Sequence, residues 1–109
     1  MSSVPDEDFI LDPLQLRKGA LTLRAINHKL RQQILQIIHK SGDITVTELF
    51  IKLRLEQSVA SQHLAILRKA GLVNTQRKGK FIFYSINHER LKQIHEKVDE
   101  LLAGKKAEF

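Results

Sequence analysis

The apolar positions in the N-terminal part of the chain recur at helical spacing and predict a first helix. Asp12 followed by Pro13 is typical of a helix start, because the aspartate side chain accepts hydrogen bonds from free first-turn amides and proline fits there. Leu14, Leu21 and Ala25 then follow at near-helical spacing. The first helix is therefore expected to begin directly after Asp12.

A second helix is predicted by an apolar stripe with the spacing i, i+4, i+7, i+8. The stripe consists of Leu30, Ile34, Ile37 and Ile38. We expect Asn27 to cap the start of this helix and Gly42 to end it, because glycine readily adopts the backbone conformation that follows a helix.

Two shorter helices joined by a tight turn come next. Thr45 and Glu48 have the spacing of a capping box, and Ser58 is the predicted cap of the fourth helix, which ends at Gly71. The inner face of the fourth helix consists of Ala60, Leu64, Leu67 and Ala70. A turn of about four residues between such helices is typical of a helix-turn-helix, although the usual turn glycine is missing.

After Gly71 the pattern changes from helical to strand-like. The runs 72–77 and 81–86 are rich in β-forming residues and flank Lys78 and Gly79, which predicts a hairpin. Asn87 is the predicted cap of a last helix with apolar residues at 3-4-3 spacing. The predicted fold is mainly α with a β-hairpin wing, in the order α-α-α-α-β-β-α: a winged helix-turn-helix.

The length of 109 residues predicts one domain, which we place at residues 12–102. Residues 1–11 form an acidic segment expected to be flexible, and residues 103–109 are expected to be a frayed tail. No cysteine is present, which fits a reducing compartment such as the cytoplasm. No run of apolar residues is long enough to span a membrane, and the acidic N-terminal segment is unlike a signal peptide.

The charge distribution favours nucleic acid as the partner. The net charge is +6. The first twelve residues contain four acids and no Lys or Arg, so the rest of the chain has all 18 Lys and Arg but only eight Asp and Glu. Neutralisation of phosphates by such cations releases counterions and gives affinity for any sequence. A small basic domain can also bind ribosomal RNA or a membrane surface, so charge alone leaves the partner open.

The fourth helix and the hairpin tip carry the candidate DNA contacts. In a helix-turn-helix, the N-terminal part of the second helix faces base edges in the major groove. The candidate base-facing residues are Gln57, Ser58, Val59, Ser61, Gln62 and His63. The candidate phosphate contacts are Arg68 and Lys69 on the same helix and Arg77, Lys78 and Lys80 at the wing. The alternatives are an ordinary solvated helix face and a solubilising hairpin tip.

Residues 14–102 resemble the ArsR (ArsR/SmtB) family of winged-helix transcriptional repressors. The resemblance rests on the run Q-S-V-A-S-Q-H-L at 57–64 and on L-R-K-A-G-L-V at 67–73. It continues through the wing glycine, Gly79, to Y-S-I at 84–86. The resemblance implies a cytoplasmic homodimer that binds an imperfect palindromic operator in double-stranded DNA. It also implies that Gln57, Ser58, Val59, Ser61 and His63 face the bases; Gln62 stands where family members often have arginine.

The resemblance further implies that the first and last helices build the dimer interface. The predicted interface residues are Leu14, Leu21, Leu91, Ile94, Val98 and Leu101. Packing of this apolar seam on the chain's own core is the alternative. A two-fold dimer would bury the seam and set two recognition helices about one DNA turn, roughly 34 Å, apart.

The positions that correspond to the family's sensor sites lack most of the required ligands in this chain. The resemblance implies that thiolate sensors need cysteines near Phe50 and Lys52, and none is present. The other common metal site of the family falls on His88, Arg90, Leu101 and Gly104, of which only His88 is able to ligate. We therefore predict no metal and no cofactor, and no effector is assigned. No catalytic site is predicted either, because the chain has no glycine-rich phosphate loop and no nucleophile in a recognisable context.

Two alternatives to this reading stay open. One is a metal-responsive repressor that uses His95 and Asp99, at i, i+4 on the last helix, as a non-standard site. Two such side chains fall short of the three or four protein ligands that Zn²⁺ prefers, so the dimer would have to supply the others. The second alternative is a winged-helix module that binds a protein partner.

Overall fold

The structure is a computed structural model and describes residues 10–104 of the chain. These residues form five helices and three short strands. The elements are α1 (Pro13–Ile26), α2 (Lys29–Ser41), β1 (Asp43–Thr45), α3 (Val46–Leu53), α4 (Gln57–Lys69), β2 (Val73–Lys78), β3 (Phe81–Ile86) and α5 (His88–Ala103). The predicted winged helix-turn-helix is confirmed, with one strand more than predicted. Most of the acidic segment, residues 1–9, and most of the tail, residues 105–109, lie outside the described residues, so the division at 12 and 102 stays a prediction.

Three of the five predicted helix N-caps are present, and Gly42 ends α2 as predicted. The Asp12 carboxylate accepts from the Leu14 amide at 3.0 Å. Thr45 and Glu48 form the complete capping box that starts α3, and Asn87 accepts from the Arg90 amide at 3.2 Å at the start of α5.

Two predicted caps are wrong. Asn27 ends α1, and His28 is the N-cap of α2, where its Nδ1 accepts from the Arg31 amide at 3.4 Å. The N-cap of α4 is Glu56, which places Ser58 inside the first turn of the helix. Each correction moves a helix start by one or two residues. His28 caps α2 with its side chain, whereas Glu56 makes no side-chain capping bond, so α4 starts without one.

The turn between α3 and α4 uses Arg54 where many such turns use glycine. Arg54 has a φ of 55°, and its amide and that of Leu55 donate to the carbonyls of Ile51 and Phe50 at 3.2 and 2.9 Å. A left-handed backbone costs a non-glycine residue about 1–2 kcal/mol. The packing of α3 against α4 therefore sets this turn, rather than a local glycine preference.

The strands form an antiparallel sheet in the order β1-β3-β2, so β3 is its central strand. β1 pairs only with the C-terminal half of β3, from Asp43 opposite Ser85 to Thr45 opposite Phe83. β2 pairs with β3 along its whole length, and the two-residue turn after Lys78 contains Gly79 at φ 64°. β1 was not predicted, because three residues are too few to show a period.

The core lies where α2, α3 and α4 meet the inner face of the sheet. Its most buried large side chains are Ile34, Ile38, Ile44, Leu49, Leu64, Leu67 and Leu72. Burial of these side chains fixes α4 by its inner face and leaves its outer face free. By contrast, α5 has no fully buried residue, and α1 has only Ala25. The two terminal helices therefore expose apolar surface.

Candidate nucleic-acid interface

The outer face of α4 is polar, exposed and free of acidic side chains. Gln57, Ser58, Ser61 and Gln62 are all exposed on its first two turns. Behind them, Ala60 and Leu64 are almost completely buried and anchor the helix. Small hydroxyl and amide side chains on a firmly anchored helix are able to approach base edges and to donate and accept hydrogen bonds there.

The remaining α4 candidates are placed differently from one another. Arg68 and Lys69 are exposed in the last turn, where cations are favoured by the helix dipole and remain available to phosphates. Val59 is half-buried. His63 is also half-buried, so the structure does not place it with Ser61 and Gln62 on the open face.

His63 lies against the start of α2. The Arg31 guanidinium donates from Nη1 to His63 Nδ1 at 3.2 Å, and the His28 ring centroid is 5.1 Å from that of His63. Burial, followed by the positive charge of Arg31 and then His28, lowers the pKa of His63 from its ordinary value of 6.5. A neutral imidazole is therefore favoured at this position.

The burial of Arg31 was not predicted, because a charged residue on an amphipathic helix is normally expected in solvent. Arg31 is 8% exposed and is the one buried charged residue among residues 10–104. One signal was present in the sequence: Arg31 falls at i, i+3, i+4, i+7 with Ile34, Leu35 and Ile38, the face that is buried.

The three cations of the wing have different surroundings. Arg77 Nε donates to the Gly79 carbonyl at 3.3 Å within the turn, and the Lys80 amine lies 5.7 Å from the Phe81 ring centroid. Lys78 folds back over Phe83, with its amine 4.9 Å from the ring centroid, and reaches the Asp43 carboxylate at 3.2 Å. All three are exposed, but Lys78 is held towards β1 rather than extended at the tip.

Three of the six predicted dimer residues, Ile94, Val98 and Leu101, line an apolar groove between α1 and α5, whereas Leu14, Leu21 and Leu91 are not among the residues that line it. Leu14, Leu21 and Leu101 are exposed, whereas Leu91, Ile94 and Val98 are half-buried. The groove has a volume of about 770 Å³ and is lined on α1 by Leu16, Ala20 and Leu23 and on α5 by Ile94, Val98 and Leu101, among others. The structure thus brings the predicted α5 residues together with one face of α1, but the predicted α1 residues Leu14 and Leu21 fall on the opposite face of that helix.

The histidines and acids of α5 are spread along the helix surface. His95 Nε2 lies 3.4 Å from an Asp99 carboxylate oxygen, an exposed i, i+4 contact. His88 lies instead beside His39 at the end of α2, with ring centroids 5.2 Å apart, which the sequence analysis did not foresee. Within residues 10–104, no group of three or more His, Cys, Asp or Glu side chains is placed to hold a metal ion.

None of the helices in the described part of the chain has the length and apolar character needed to cross a membrane.

The protein is a winged helix-turn-helix in which α4 presents a polar face without acidic side chains and the wing beside it is basic. This combination is typical of a DNA-binding transcriptional regulator. The model of the bacterial regulatory proteins of the arsR family matches residues 28–75. An HTH-type transcriptional regulator of Methanocaldococcus jannaschii is 36% identical over 84 residues, 77% of this chain and 94% of that protein. This chain belongs to the arsR family, whose members are DNA-binding regulators and not enzymes.

Two further relatives extend the comparison. The transcriptional activator HlyU of Vibrio cholerae is 37% identical over 84 residues, 77% of each chain. Its structure matches with a TM-score of 0.63 over 80% of this chain and 94% of that one, at 36% identity. A homodimeric winged helix-turn-helix DNA-binding domain from Mycobacterium bovis has a TM-score of 0.70 over 99% of this chain and 94% of its own, and at 22% identity it supports the fold alone.

Proposed function

We propose that this chain is a cytoplasmic homodimeric repressor that occupies a palindromic operator in double-stranded DNA. The observation that carries the proposal is the exposed, acid-free face of α4 with Gln57, Ser58, Ser61 and Gln62. Each α4 reads one half-site in the major groove, while Arg68, Lys69 and the wing bind phosphates on either side. Repression follows from occupancy, since a dimer bound over a promoter excludes the polymerase.

The apolar surface of α1 and α5 supports the dimer. Leu101 on α5 and Leu16 and Leu23 on α1 line the groove and are exposed to water in the single chain. A second copy related by a two-fold axis buries the same surface on both chains. The Mycobacterium bovis domain of similar fold is described as homodimeric, which agrees with this arrangement.

The repressor we propose has no thiolate sensor and no metal site of the usual kind on α5. The chain contains no cysteine. Arg90 occupies one of the positions where the resemblance requires a ligand, and its cationic guanidinium opposes a metal ion. His95 and Asp99 pair with one another and are joined by no third ligand among the described residues.

Selection of genomic fragments with the purified protein at about 150 mM salt tests the proposal, with parallel samples containing Zn²⁺ or a chelator. We expect an enriched palindrome with half-sites about ten base pairs apart, as a symmetric dimer requires. Enrichment that depends on Zn²⁺ would favour the metal-responsive alternative. No enrichment above the salt-dependent background would favour a protein-binding module, and a reporter gene behind the enriched site separates repression from activation.

Ser61→Ala is expected to weaken binding to the selected site by about 1–3 kcal/mol and to spare binding to random DNA, because Ser61 contacts bases. Arg77→Ala is the matched comparison. It is expected to lower the slope of log K against log salt by about one on any sequence, since it removes one phosphate contact. Fluorescence anisotropy titrations over a salt series give both quantities. An equal loss on both duplexes for Ser61→Ala would contradict its assignment to base contact.

Asp43→Asn is expected to strengthen DNA binding, because the Lys78 amine is then free to extend to a phosphate. The salt slope should steepen by about one. The free energy of unfolding should change by less than about 1 kcal/mol, since this ion pair is exposed. Glu100→Gln is the matched control: it removes the same charge from the exposed Lys97–Glu100 pair on α5. Equal effects of the two variants would mean that net charge alone is responsible.

A further inference from the structure

We propose that Arg31 is the positioning residue that joins the recognition helix α4 to the end of α1, and that it does so only while His63 is neutral. This inference rests on the proposed function, because it concerns how the DNA-reading helix is held. It assigns to His63 a role different from base contact.

The Arg31 guanidinium closes the C-terminal end of α1. Its Nε donates to the Ala25 carbonyl at 2.7 Å, and its Nη2 donates to the Arg24 carbonyl at 3.2 Å. These carbonyls belong to the last turn of α1 and have no partner within the helix. A cation at this end is also favoured by the helix dipole. Arg31, although part of α2, therefore acts as a cap for α1.

The third bond of the same group reaches α4. Arg31 Nη1 donates to His63 Nδ1 at 3.2 Å. A single rigid, planar fork thus contacts α1 and α4 at once, and its 8% exposure leaves it almost no freedom to move. Because α1 carries part of the proposed dimer interface, the contact links the dimer axis to the helix that reads DNA.

This geometry fixes the protonation of His63. An arginine has only donors, so His63 Nδ1 must carry a lone pair, and the ring proton lies on Nε2. A second proton would occupy Nδ1, remove the acceptor and place an imidazolium against a buried guanidinium. His63 also faces the side chain of His28, the N-cap of α2. The neighbours of His63 one turn away on α4 itself, Val59 and Leu67, are apolar.

The sign of the pH dependence follows from the lowered pKa of His63. Above pH 6.5 the imidazole is neutral and the link is complete. As the pH falls through the lowered pKa, His63 gains a proton and the link to Arg31 is lost, so α4 is released from α1. Specific affinity should therefore fall in acid, by up to about tenfold for each pH unit below that pKa.

Three proteins test this: the unmodified chain, His63→Gln and His95→Gln. Glutamine keeps an oxygen acceptor for Arg31 but does not titrate, and His95 is an exposed histidine on α5 that serves as the control. Kd is measured between pH 7.5 and 5.0, at constant ionic strength, for a duplex of the selected sequence and one of random sequence. We expect the unmodified chain and His95→Gln to lose affinity for the selected duplex in acid, relative to His63→Gln.

Parallel profiles of the three proteins would overturn the inference. So would a gain in affinity of the unmodified chain relative to His63→Gln, which is the sign expected if protonated His63 contacts a phosphate directly. Nitrogen-detected NMR of the imidazole needs no substitution and checks the contact itself: an Nδ1–H tautomer at pH 7.5 would overturn it. Failure to select any duplex at pH 7.5 would count against the proposed function. Parallel pH profiles, a relative gain in affinity in acid or an Nδ1–H tautomer would count against the inference alone.

Discussion

Leu101→Glu is expected to convert the dimer into a monomer and to weaken binding to the palindromic duplex by about a hundredfold or more, because two linked half-site contacts become one. Leu101 is 68% exposed in the single chain, so the charge leaves the core of the monomer intact. Leu91 and Ile94 are poorer choices, since both pack against the core and a charge there would also lower the stability of the monomer. Sedimentation equilibrium and anisotropy titration measure the two effects.

Ile51→Glu is the matched control for the dimer experiment. Ile51 lies on α3, is 63% exposed and receives the same substitution away from α1 and α5. It is expected to remain dimeric. If Leu101→Glu also remained a dimer, the α1–α5 surface would not be the dimer interface and its exposed leucines would need another partner.

Leu64→Ala is expected to lower the free energy of unfolding by about 2–5 kcal/mol, because it opens a cavity beneath the recognition helix. Leu64 is 1% exposed and forms part of the core that anchors α4. Ile66→Ala is the control on the same helix: Ile66 is 41% exposed, and its truncation should cost less than about 1 kcal/mol. Urea titrations of the two variants at one protein concentration measure the difference. Equal losses would mean that α4 is not held by its inner face.

The order of helices and the hairpin were predictable because long amphipathic segments carry their own period. The α4 stripe of Ala60, Leu64 and Leu67 predicted both the buried face and, by exclusion, the exposed face. Asp12, Thr45 and Asn87 were predictable caps because their side chains satisfy amides only a few residues away. Local chemistry was sufficient for these elements.

The features that the sequence analysis missed depend on contacts between distant parts of the chain. β1 is a strand only because β3, some forty residues later, pairs with it. Arg31 is buried only because the end of α1 and His63 of α4 meet around its guanidinium. Arg54 adopts a left-handed backbone because the packing of α3 on α4 requires it. Each of these contacts joins residues that are far apart along the chain, so no short stretch of the sequence reveals them.

The wing consists of two parts of unequal stability. Near its base, β3 is flanked on both sides, by β1 and β2, as far as Phe83. Beyond that, the pairs Arg77–Ile82 and Lys78–Phe81 belong to a two-stranded ribbon, a structure that is marginal in water on its own. The distal amides should therefore exchange with solvent through local opening well before those at the base. Such a tip is able to follow phosphate backbones of different shape, and we expect it to become fully ordered only in the proposed complex with DNA.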